Sequence, residues 1–116
     1  MKDLKVRTKE FALRIIRLYT SLPRRTEAAV IGKQILRSGT SIGANYREGI
    51  RSRSPAEYAA KLNQSLMELE ETAYWLELLE DAEIVKRVEV TADLRNECFE
   101  LTAIFVSLIK KVKSDQ

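Results

Sequence analysis

Between Arg37 and Tyr58 the chain reads RSGTSIGANYREGIRSRSPAEY, setting four arginines among serines, an asparagine and two glutamates. Guanidinium groups repeated along one face suit phosphate recognition, because each presents a rigid fork of donors to a pair of oxygens. If residues 27–50 are helical, Lys33, Arg37, Arg47 and Arg51 all point away from a core side made by Ile31, Ile35 and Ile42. Arg53 carries the cluster into the next loop, and Lys5, Lys9, Arg24 and Arg25 extend it from the first helix. Such a stripe holds a nucleic-acid backbone with an affinity that falls steeply as salt rises. The competing reading is a solvated face, or an acceptor for acidic residues of the same chain.

Catalytic chemistry finds little support. The chain has no histidine, so the commonest general base and metal ligand is missing. Its one cysteine, Cys98, falls on an apolar stripe with no histidine to activate it, which predicts a buried, inert thiol. Gly39-Thr-Ser-Ile-Gly43 lacks the GK[ST] ending of a phosphate-binding loop. Glu68, Glu70, Glu71, Glu77 and Glu80 spread around their helix, and a di-iron bundle also needs histidines. No catalytic residue, metal ligand or cofactor is assigned.

These side chains must be carried by helices. With 116 residues, 45% apolar and 32% charged, the chain is expected to form one domain with its own core. Four amphipathic patterns, at about 3–22, 27–50, 55–82 and 87–113, predict an all-α, antiparallel up-and-down four-helix bundle. Core stripes are expected at Leu4, Thr8, Phe11, Ile15, Leu18 and Leu22, then at Ala28, Ile31, Ile35, Ser38, Ile42 and Asn45. They continue at Ala59, Leu62, Leu66, Leu69, Ala73 and Leu76, and at Val90, Leu94, Cys98, Leu101, Phe105, Leu108 and Val112. Thr26 is expected to cap the second helix. Ser54-Pro55-Ala56-Glu57 has the form of a capping box with proline at the first helical position. Gly32, Gly39 and Gly43 lie along one flank of the second helix, which predicts close approach of a neighbour or a local break. Ser38, Ser41, Asn45 and Glu48 are expected to satisfy one another, the next helix or the turn at Ser54, a structural role shared with Glu57.

Three helices carry a second apolar line: Val6, Leu13 and Ile16; Met67, Tyr74 and Leu78; Phe99 and Val106. In a monomer these faces would meet water, so a homo-oligomer is expected, with these residues at its interface. Charge is also divided. Residues 1–25 carry a net +6 and residues 26–53 a net +3, whereas residues 54–85 carry −7 and residues 86–116 carry +1. The basic half can attract polyanions or pair with the acidic segment across subunits. A lone cysteine fits a reducing compartment, and the charged start of the chain does not resemble a signal peptide. A cytoplasmic, bacterial-type protein with no membrane partner is therefore expected.

The motif itself is informative. Arg37, Ser38, Ser41, Ile42, Asn45, Glu48 and Gly49, followed by Arg53, Ser54, Glu57 and Tyr58, resemble the pattern R[SA]-x-x-S-[IV]-x-x-N-x-x-E-[GA] then R-S-x-x-[ED]-[FY]. That pattern belongs to the four-helix-bundle family of the 23S rRNA intervening-sequence proteins. Phe11-Ala12 and Trp75-Leu76-Glu77-Leu78-Leu79 extend the resemblance over nearly the whole chain. It implies a left-handed bundle assembling as a ring-like homopentamer. The chain is also similar to the accessory variability protein of diversity-generating retroelements, a basic pentamer that binds nucleic acid and reverse transcriptase. Two functions from different classes are thus expected: a non-enzymatic oligomer binding RNA or DNA, or a structural adapter holding a protein partner.

Overall fold

A computed structural model describes residues 3–115. Four helices follow in order: α1 (Leu4–Ser21), α2 (Thr26–Ile50), α3 (Pro55–Asp81) and α4 (Val88–Ser114). Each packs against the next along an axis of 48 Å, with a cross-section of 21 × 20 Å. Twenty-seven residues of α3 or α4 span about 40 Å at the helical rise, so these two helices set the length of the body. The connections are short, which forces antiparallel neighbours and yields the expected up-and-down bundle.

Local chemistry explains the boundaries. Asp3 caps α1 by accepting from the Lys5 amide, at 2.6 Å. Ser54 caps α3 by accepting from the Glu57 amide at 3.1 Å, with Pro55 at the first helical position. Glu57 completes the box one residue early, accepting from the Arg53 amide at 3.1 Å rather than from Ser54. Thr26 does not cap α2 as expected. It is the first helical residue, and Arg25 occupies the cap position with no side-chain bond. α3 stops without glycine: Glu83 takes φ 57°, the Ile84 amide reaches back to the Leu79 carbonyl, and the Glu83 amide to that of Glu80. This is a Schellman closure, and the buried Ile84 supplies its apolar contact.

The core forms where the four stripes meet, around Phe11, Ile15, Ile35, Ile42, Leu62, Leu69, Leu76, Leu94, Leu101 and Phe105. Its edges differ from the sequence expectation in a consistent way. On α3, Ser65 and Thr72 are fully buried, whereas Leu66 and Ala73 are half-buried. On α4, Thr91 and Ile109 are buried, Leu108 and Val112 are half-buried, and Val90 is exposed. On α2, Ile31 and Asn45 are half-buried, and the glycines replace them against α1. Choosing the most apolar 3-4 alternation misses small hydroxyl residues that fit a narrow seam.

α2 is unbroken through its glycines, and those residues are where α1 approaches. A Cβ at Gly39 would stand 2.8 Å from Ile15 Cγ1, and one at Gly43 would stand 2.9 Å from Thr8 Oγ1. A side chain at either position would force Ile15 or Thr8 to shift.

Candidate nucleic-acid interface

The outer face of α2 carries Lys33, Arg37, Arg47 and Arg51, all exposed, as the helical spacing requires. Their surroundings divide them. Arg37 reaches across to α3, with Nη1 3.0 Å from Glu68 and Nη2 2.6 Å from Glu71. The hydrogen bond to Glu71, then that to Glu68, raises the guanidinium above its ordinary range, while Arg37 holds the Glu71 carboxyl below the usual carboxylate range. Its charge is therefore balanced inside the chain, and Arg37 bridges α2 and α3.

Lys33 and Arg51 form no ion pair among the described residues, and neither do Arg53, Arg24, Lys5 and Lys9. Arg47 donates only to the Lys5 carbonyl, at 3.4 Å, which leaves its charge uncompensated. Arg25 lies 3.8 Å from Glu27, an exposed pair within one turn. Antiparallel packing brings the start of α1, the end of α2, the start of α3 and the end of α4 to one end of the body. Lys5, Arg47, Arg51 and Arg53 thus share that end with Lys110, Lys111 and Lys113, which sequence alone explains as partners of the α4 dipole. Arg24 and Arg25 lie at the opposite end, beside Lys86 and Arg87 of the α3–α4 connection.

The small polar residues of the motif hold helices together. Ser38 is buried with Thr72 of α3, their oxygens 2.8 Å apart. Thr72 Oγ1 also lies 2.7 Å from the Glu68 carbonyl; its single proton serves that carbonyl, leaving Thr72 to accept from Ser38. Ser65 donates to the Ile42 carbonyl at 2.8 Å, which adds a second buried hydroxyl to the same seam. Glu48 pairs with Lys61 of α3 at 2.8 Å. Ser41 turns back to the Arg37 carbonyl of its own helix, at 2.6 Å, rather than to the other motif residues. Asn45 makes no side-chain hydrogen bond among the described residues. Ser65 and Thr72 carried a signal that could have been found, since Leu62, Ser65, Leu69, Thr72 and Leu76 also alternate by three and four.

Of the expected interface residues, Val6, Leu13, Ile16, Met67, Tyr74 and Phe99 are exposed large hydrophobics, whereas Leu78 and Val106 are half-buried. Tyr74 and Phe99 line a groove of about 300 Å³ between α3 and α4, edged by Glu70 and Glu77 and with Cys98 among its lining. Cys98 is itself buried, and burial pushes its thiol up to about 12. No group of three or more histidine, cysteine or acidic side chains among the described residues is arranged to hold a metal ion. No helix among them is long and apolar enough to cross a membrane.

With this geometry in view, comparison with known proteins places the chain. The profile of the 23S rRNA-intervening sequence protein family matches residues 2–107. The chain belongs to this family. It is also similar to a solved structure from Bacteroides thetaiotaomicron, a protein of unknown function from the S23 ribosomal protein family. The two share 44% identity over 93% of this chain and 99% of that one, with a TM-score of 0.86. No match is found among curated proteins.

Proposed function

We propose that this family member is a non-enzymatic cytoplasmic homo-oligomer that binds RNA or DNA through its uncompensated basic surface. The carrying observation is that Lys33, Arg47, Arg51 and Arg53 are exposed and unpaired by acids of their own chain, although α3 lies beside them rich in glutamate. Free guanidinium and ammonium groups on one surface attract phosphates and release counterions on binding. The apolar faces support self-association. Val6, Leu13 and Ile16 of α1 lie among Lys9 and Arg17, whereas Tyr74 and Phe99 lie among Glu70 and Glu77. Two different patches of opposite charge suit a head-to-tail contact, which closes into a ring. The family resemblance implies that the ring is a pentamer.

A salt-titrated mobility-shift assay with labelled RNA and DNA tests the binding. Retention at low salt, released progressively by salt and abolished by Arg47→Glu/Arg51→Glu, is expected; Arg37→Glu should act mainly through stability. A stable oligomer with no salt-dependent binding to either nucleic acid would favour the adapter that holds a protein partner. Light scattering tests assembly, and a monodisperse monomer would remove the oligomer.

A further inference from the structure

At the basic end of the bundle the α2–α3 turn and the last turn of α4 enclose an open groove of about 600 Å³. That volume is within the range of small-ligand clefts. Its lining includes Ile50, Pro55, Tyr58, Val112 and Arg53. The polar groups of the turn are already engaged. Ser52 donates to the Gly49 carbonyl at 2.6 Å, Ser54 accepts from the Glu57 amide, and the Arg53 amide donates to Glu57. The groove therefore offers apolar surface and one aromatic residue, with the unpaired Arg53 in its lining. Ile50 is 43% exposed, so its aliphatic surface is open to a ligand. Cations outnumber free acids beside the lining: Arg51 lies between Ile50 and Ser52 and Lys111 and Lys113 flank Val112 in sequence, whereas Glu48, next to Gly49, is paired with Lys61 and Glu57, next to Tyr58, accepts from the Arg53 amide. Arg51, Arg53, Lys111 and Lys113 form no ion pair among the described residues, and Asp115 is the one acid in the lining.

We infer that this groove receives an unstacked base of a single-stranded nucleic acid, with the neighbouring phosphates on Arg51, Arg53 and Lys113. An apolar slot bearing an aromatic ring and a guanidinium favours the flat face of a base, and a cationic rim favours the strand's backbone. A duplex keeps its bases stacked and paired, and would have to give one up at a cost of a few kcal/mol. Single strands present them freely. This inference rests on the polyanion-binding reading proposed above and adds that bases, not phosphates alone, are recognised.

The test compares the full-length protein's affinity, by fluorescence anisotropy, for a twelve-nucleotide strand and for an abasic strand of equal length and charge. The base-bearing strand should bind at least fivefold more tightly, the low end of the range for stacking one base. Tyr58→Leu should remove most of that difference while leaving abasic-strand affinity unchanged. Because Tyr58 also packs against Gly49, Ile50→Ser at an exposed position is the second variant, with thermal unfolding checking the fold of both. Equal affinity for the two strands overturns the inference but leaves the charge-driven function standing. Preference for a duplex of the same length overturns it too, as does competition by an oligo-glutamate peptide equal to that of the base-bearing strand. Failure of both strands to bind at any salt removes the proposed function and the inference together.

Discussion

The two sides of α2 and the seam between α1 and α4 close the bundle by opposite means. α2 is approached at its glycines by α1, and at Ser38, Ile42 and Gly49 by α3, so that small groups and buried hydroxyls set the distance. α1 and α4 meet far less closely. There Arg7 spans the gap, with Nε and Nη2 each 2.8 Å from Glu97 and Nη2 2.8 Å from Glu100. Toward the other end of this seam an opening of about 220 Å³ lies beside Leu18, Val90 and Leu94. Seams of small residues fix register, because nothing can slide without collision or an orphaned hydroxyl. A seam bridged by long charged chains tolerates adjustment, because those chains can follow the movement.

That contrast can be broken, beginning with the close seams. Gly39→Val should cost about 3 kcal/mol in urea unfolding, the upper end for overpacking, because its first carbon alone would collide with Ile15. A Gly39→Ala/Ile15→Ala pair costing less than the sum of its single variants would sharpen the assignment, since Cγ1 and Cγ2 of Ile15 are the nearest atoms a Cβ would meet. Thr72→Val should cost about 2 kcal/mol by leaving buried Ser38 without its strong partner. Adding Ser38→Ala should restore much of it, and an additive double mutant would break the claim of a coupled polar seam. Arg7→Met, on the loose side, should cost about 1 kcal/mol, the upper end for a solvated pair, because its bidentate geometry on Glu97 is good but both groups keep contact with water.

The smallest effect belongs to Arg37. Arg37→Met should cost below about 1 kcal/mol at neutral pH, because the guanidinium is half-exposed. Its pH dependence is the sharper measure. Arg37 depresses the Glu71 pKa in the folded state, so the gain is fully present above the unfolded carboxylate value of about 4.3 and disappears as pH falls through the lower folded value. Denaturation midpoints of wild type and variant should differ at pH 7 and converge in strong acid. A constant difference across that range would show that Arg37 acts by packing alone.

Much of the fold was legible because helical periodicity and capping are local. The Ser54-Pro55 start of α3 follows from residues within one turn, and the Phe11/Ile15/Leu18 stripe follows from spacing. The cap of α2 was misjudged because Thr26 and Arg25 differ by one position, within the ordinary fraying of helix ends. On α3 two alternations fit equally well, and hydropathy favoured Leu66 and Ala73 over the buried Ser65 and Thr72. The basic face was legible as a set of outward positions, but its charge balance was not. Arg37 and Arg47 look alike in sequence, and only the neighbouring helix distinguishes them.

By itself, then, the sequence determined the four helices, their antiparallel order and the outward direction of Lys33, Arg37, Arg47 and Arg51, since all of these follow from interactions within a few turns. The tertiary structure decided which hydroxyls are buried, where glycine is obligatory, and which cations remain free. Each of those depends on what stands across a seam: Ile15 opposite Gly39, Thr72 opposite Ser38, and Glu68 and Glu71 opposite Arg37. Contacts between residues 24 to 34 positions apart have no local signature, because the distance between two helix axes is set by every side chain along both.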